Sequence, residues 1–161
     1  MAAGAPGERT LEVYEQGKHT SEQARDWVRK PITITSPSYG RDGEVVVPKS
    51  RDGHHYVHGF LNGFPVVFLI DTGASITTIP LRYARPGGIR AGVIQDMQTG
   101  GGVAKISVSE ENRVGVGPVA LDSMHVAVAR DIPLAVLGMN ALQRFSMTVD
   151  ERGTMTLKLL R

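Results

Sequence analysis

Asp71 ends an apolar run, Val67-Phe68-Leu69-Ile70, and is followed at once by Thr72-Gly73-Ala74-Ser75. A carboxylate at the edge of a core costs free energy unless hydrogen bonds favour its charged form. Gly73 is suited to supply them, because a residue without Cβ can turn at positive φ and bring main-chain N–H groups toward the acid. Thr72 is small and can hydrogen-bond across to another backbone. Asp-Thr-Gly alone is a common turn, and the plain alternative for Asp71 is a structural aspartate capped by backbone amides. The flanks argue for more, since a second β-branched run, Ile76-Thr77-Thr78-Ile79-Pro80, follows directly. An anchored, oriented carboxylate of this kind can act as a general acid or base.

The other reactive residue types form weaker patterns. His54, His55 and His58 lie close together, but on a strand His54 and His58 share one face and His55 takes the other. Two pleats separate His54 from His58, so they read as polar strand positions and not as zinc ligands; no metal is expected. Ser75 lies near the acid without a Gly-x-Ser-x-Gly elbow, which excludes that serine-hydrolase arrangement. The chain has no Cys, which removes disulfides, thiolate metal sites and cysteine nucleophiles together. Met139, Met147 and Met155 read as core fillers.

The elements that must position Asp71 read as short strands. The 161 residues suffice for one domain and a tail, and the Gly, Pro, Val, Ile and Thr content favours strands and tight turns. The pattern predicts a hairpin of 54–61 and 64–70 turned at Asn62-Gly63, the strongest short-range hairpin signal. A β signal begins at residue 32 in the alternating stretch 31–37, and further strands are expected at 45–48, 93–97 and 103–109, with a mobile tip at Gln98-Thr99-Gly100-Gly101-Gly102 between the last two. Two more are expected within 113–129, split at Gly117-Pro118. Residues 133–145 read as a short strand entering a short helix after Gly138, and 145–160 as a hairpin turned at Glu151-Arg152-Gly153. Leu81-Arg82-Tyr83-Ala84 suggests one helical turn.

Residues 1–40 read as a tail or linker, with a short helix begun by Thr20 or Ser21, and 41–161 as the domain proper. A net charge of +2 with scattered Lys and Arg gives no reason to expect a nucleic-acid partner. No apolar run approaches the roughly 20 residues of a membrane helix, and the start lacks the apolar core of a signal peptide. The expectation is a cytoplasmic protein, or one whose leader or anchor lies outside this numbering.

From about residue 43 to 160 the sequence resembles the retropepsin-like aspartic proteases, in particular the bacterial group with a single Asp-Thr-Gly motif. The resemblance rests on Asn62-Gly63, Asp71-Thr72-Gly73-Ala74-Ser75, the glycine-rich hairpin at 99–102, and Ala135-Val136-Leu137-Gly138-Met139. Ala74 matches the retroviral pattern more than the pepsin one. Arg85-Pro86-Gly87-Gly88 is a departure that would loosen the region before the hairpin. The resemblance implies an all-β closed barrel with one short helix near the C-terminus. Val136, Leu137 and Gly138 would cross behind the Asp turn, and Thr99, Gly100, Gly101 and Gly102 would form a flap.

Aspartic protease chemistry needs two carboxylates that share a proton. Asp96, Asp122, Asp131 and Asp150 lack the apolar strand and the Thr-Gly turn. The twin of Asp71 is then most simply Asp71 of a second chain, related by a two-fold axis. The expected protein is a homodimeric aspartic endopeptidase that needs no cofactor, activates water between two Asp71 side chains, and takes an extended peptide. Thr72, Gly73 and Ala74 would support the site. A periplasmic, membrane-anchored setting is implied by the resemblance alone. The alternative is a non-catalytic dimerisation or peptide-binding module of the same fold.

Overall fold

The computed structural model describes residues 7–16, 27–40, 42–90, 92–99, 102–130 and 132–161. The central hairpin joins β5 (Tyr56–Leu61) to β6 (Phe64–Ile70). Its two-residue turn puts Asn62 at φ 48° and Gly63 at φ 86°, the left-handed pair that matches strand twist. Along β6 the side chains alternate strictly. Val66, Phe68 and Ile70 are buried, while Pro65, Val67 and Leu69 lie on the opposite face. The period of two decides the fold here, because it commits one face of the hairpin to the core.

The chain continues through β7 (Thr77–Pro80), a 3-10 turn at Leu81–Tyr83, β8 (Val93–Thr99), β9 (Gly102–Val116), β10 (Val119–Ala129) and β11 (Ala135–Leu137). The strand order is β10-β7-β11-β6-β5-β9, and β9 also pairs with β10. That second pairing closes a six-strand barrel, with β8 attached outside β9. Closure removes edges from the six. A one-turn helix of four residues, α1 (Met139–Leu142), leads to β12 (Phe145–Val149) and β13 (Met155–Leu159). These last strands join β4 (Val45–Val47) and β3 (Ser38–Tyr39) in a second sheet, ordered β12-β13-β4-β3. Val45, Val47, Phe145, Met155 and Leu157 from that sheet pack with Val57, Leu61, Phe68, Ile79, Val114 and Leu137 of the barrel in one core. Each such side chain contributes roughly 1.5–3 kcal/mol by leaving water.

Three expectations change. The strands expected at 103–109 and from 113 are one strand, β9, bent at Glu111 (φ 59°), where its pairing with β10 shifts register. Buried Asn112 holds this bend: its amide donates to the Ser109 and Met124 carbonyls and accepts from Asn62. Arg85 to Gly88 is tied down, because Gly87 N–H bonds the Tyr83 carbonyl and the Asn62 amide bonds the Gly87 carbonyl. A Cβ on Gly87 would come within 2.6 Å of Leu61. Finally, Trp27 to Lys30, placed at the end of the expected N-terminal helix, belong to β2 (Trp27–Thr35), which pairs antiparallel with β1 (Glu8–Gln16). The start of that expected helix, 20–26, lies outside the described residues.

Candidate active site

Asp71 stands at the end of β6, where the parallel partner β11 brings Leu137 alongside Ile70. The Asp71 N–H donates to the Leu137 carbonyl at 3.1 Å, extending the ladder by one bond. Its side chain is half-buried, and one carboxylate oxygen, Oδ1, accepts from the Gly73 N–H at 2.8 Å. Ala74 N–H closes the turn on the Asp71 carbonyl at 3.2 Å. Gly73 does not take positive φ as expected. Its glycine character matters through proximity, since a Cβ there would lie 3.1 Å from Asp71 Oδ1. Thr72, Gly73 and Ser75 are exposed at the tip of the turn.

Behind the turn, the second motif crosses so closely that only glycine fits. A Cβ on Gly138 would lie 2.5 Å from the Ile76 carbonyl carbon and 2.9 Å from Thr77 N. The chain leaving Gly138 is bolted to the turn by Met139 N–H on the Ala74 carbonyl at 2.7 Å and Asn140 N–H on the Ser75 carbonyl at 3.1 Å. Two residues with no assigned role in the sequence reading complete the clamp. Asn140 Oδ1 accepts from both the N–H and the hydroxyl of buried Thr77, each at 2.8 Å, and its amide donates to the His125 carbonyl at 2.9 Å. Thr77 Oγ1 in turn accepts from Gly138 N–H at 3.2 Å. The polar residue two places after a strand-ending glycine was the available signal. What it bonds, 63 residues away, is a matter of tertiary structure.

Other carboxylates sit elsewhere. Asp122 faces Arg113 at 3.4 Å, Asp150 caps its own turn through Arg152 and Thr154 N–H, and Asp96 is exposed on β8. Asp131 lies outside the described residues. In the expected flap, Thr99 and Gly102 are register partners at the end of the β8–β9 hairpin, while Gly100 and Gly101 lie outside the described residues. The histidines diverge: His55 Nε2 meets the Gly153 carbonyl at 2.6 Å, and the His54 ring stands nearly perpendicular to the Tyr56 ring. Tyr56 donates its hydroxyl to Asp52, and burial, then that bond, pushes its pKa above the usual phenol value.

The sequence model of the gag-polyprotein putative aspartyl protease family matches residues 57–144, from β5 through α1. Among solved structures, a retropepsin-like aspartic protease from Rickettsia conorii superposes with a TM-score of 0.60 at 27% identity, covering 71% of this chain and 88% of that one. An uncharacterised protein of Rickettsia prowazekii is 27% identical over 128 residues, 71% of this chain and 52% of its own length. This chain thus spans about half the length of that curated relative. The matched segment contains both the Asp71 turn and the Gly138 crossing that clamps it, and with its closed barrel the chain belongs to the gag-polyprotein putative aspartyl protease family, of retropepsin-like fold.

Proposed function

We propose that this chain is an aspartic endopeptidase that works as a homodimer, with Asp71 from each of two copies forming the catalytic pair. The observation that carries the reading is the clamped turn. Asp71 is half-buried at a strand end, and the backbone around it is fixed by Leu137, Gly73, Met139 and Asn140. A carboxylate that must exchange a proton with water benefits from such preorganisation, because no reorganisation is needed when charge moves. One Asp71 carboxylate, ionised, takes a proton from water while its protonated twin donates to the scissile carbonyl. Asp96, Asp122 and Asp150 support a second chain as the source of that twin, since each stands exposed on other elements. An extended peptide would lie between the Asp71 turns and the β8–β9 hairpin, Thr99 to Gly102, acting as a flap. No cofactor is invoked. The family resemblance is the one support for a periplasmic, membrane-anchored setting; no helix among the described residues is long and apolar enough to cross a membrane.

Digestion of a peptide library at acidic and neutral pH, with Asp71→Asn in parallel, tests this reading. Cleavage should fall by about 10³ in the variant, on the scale of losing a general acid–base group. A folded Asp71→Asn protein that cleaves at the native rate refutes it.

A further inference from the structure

The β8–β9 hairpin reaches past the strand that anchors it. From Ser107 onward β9 pairs with β10, whereas residues 102–106, nearer the tip, have residues 95–99 of β8 as their register partners. Ile106 and Val108 share one face of β9, are buried with Ala127, and pack against Ile76, the residue that follows the Asp71 turn. A hairpin built this way takes its position from its two legs.

Both legs are tied at one point. The entering leg passes through Gly87, whose carbonyl accepts from Asn62 Nδ2 at 2.9 Å. The leaving leg passes through Asn112, whose Oδ1 accepts from the same Asn62 Nδ2 at 3.0 Å. Next to it, Arg113 N–H donates to Asn62 Oδ1 and Asn62 N–H to the Arg113 carbonyl, each at 2.8 Å. Asn112 is 4% exposed, and its own amide donates to the Ser109 and Met124 carbonyls at 3.0 and 3.2 Å. Closer to the hairpin, Gly92 N–H donates to Ser107 Oγ at 3.3 Å, and the Val108 carbonyl leaves no room for a Cβ on Gly92. The turn itself does not require this side chain, because Asp-Gly and Gly-Gly form it as readily as Asn-Gly. Of the three, asparagine alone brings two donors and an acceptor.

We propose that the Asn62–Asn112 amide pair is the pivot of the β8–β9 hairpin: it pins both legs where they leave the barrel and so sets how the hairpin closes over the Asp71 turn. The pair acts through the hairpin, as positioning residues. Its effect on peptide turnover rests on the flap reading above; its effect on the order of the hairpin does not.

Asn62→Asp and Asn62→Gly both keep a residue that the turn accepts. The first sets an acceptor oxygen against the Gly87 carbonyl and Asn112 Oδ1, and the second removes the side chain. Amide hydrogen exchange of the full chain should show protection of residues 93–99 and 102–108 falling about tenfold in both variants, with β6, β12 and β13 within about twofold of native. In peptide cleavage KM should rise about tenfold while kcat changes much less, since a loosened hairpin loses binding common to ground and transition states. A merely structural loss would lower the active fraction, and so kcat, at native KM. Native hairpin protection in both variants overturns the proposal. An equal loss of protection throughout the barrel also overturns it, by making Asn62 a general support of the fold. A native KM beside a loosened hairpin overturns the link to turnover. Should neither variant fold, the native chain decides: the N–H groups of Asn62 and Arg113 should exchange at least about tenfold more slowly than those of 95–99 and 102–106, and the reverse order refutes the pivot. A native chain that cleaves no peptide refutes the protease reading, and hydrogen exchange then judges the pivot alone.

Discussion

Gly138 and Asn140 set the Asp71 turn from opposite directions, one by having no side chain and the other through one that makes three hydrogen bonds. A Cβ at Gly138 would press on the backbone of Ile76 and Thr77, which cannot rotate away as a side-chain tip can. Gly138→Ala should therefore destabilise by about 1–3 kcal/mol, the usual range for overpacking, and displace the turn. A lowered Tm in thermal unfolding checks this, and a native Tm would mean the crossing is looser than the contact distances imply. Asn140→Ala removes the acceptor of buried Thr77 and leaves its N–H and its hydroxyl proton without that acceptor, at a cost of about 1–3 kcal/mol. Asn140→Asp keeps an Oδ1 acceptor for Thr77 but turns the His125 bond into a contact between two acceptor oxygens, so it should fall below the native protein and retain more stability than the alanine variant. Equal Tm values for the two would contradict the Thr77 bond as the source of the effect.

At the level of elements, what the sequence makes legible is what local chemistry dictates. Asn62-Gly63 fixes a two-residue turn, the alternation from Phe64 to Ile70 fixes a face, and both the strand before Gly138 and the helix after it follow from short-range pattern. β1 escapes such reading because Glu8, Arg9, Glu12 and Glu15 dilute its two-residue alternation, so a strand of mixed polarity looks like a tail. The continuity of β9 escapes for a different reason. Glu111 takes a left-handed conformation that nothing in its residue type demands, and the buried amide of Asn112, supplied with partners by distant strands, stabilises the bend. The β8–β9 hairpin carries the prediction for this scale. Gly102 has φ 114° and nothing within 4 Å of the place a Cβ would occupy, so its glycine serves backbone conformation and not packing. Replacing Gly101 and Gly102 by Ala should strain the backbone at Gly102 by about 1–3 kcal/mol and slow peptide turnover by more than that loss of stability explains, if close backbone approach to a ligand is their use. Native turnover in the doubly substituted protein would remove the flap role.

For the whole molecule, the closed barrel carries one Asp71 and leaves its turn exposed at one end, with Thr72 and Gly73 reaching into solvent. If each site draws one Asp71 from each of two copies, catalysis belongs to the pair, and specific activity should fall on dilution through the dimer dissociation constant by mass action. Mixing with an excess of Asp71→Asn protein should then inhibit beyond simple dilution, because each heterodimer holds one acid and one amide. The pH–rate profile should be bell-shaped, with two macroscopic values owned by the pair, since two crowded carboxylates cannot both ionise easily. Sedimentation at the assay concentrations separates the remaining cases. A dimer that persists at nanomolar levels without exchanging subunits explains constant specific activity and leaves the shared site intact. An active monomer, insensitive to the Asp71→Asn chain, refutes it, and the second carboxylate must then be sought within the same 161 residues.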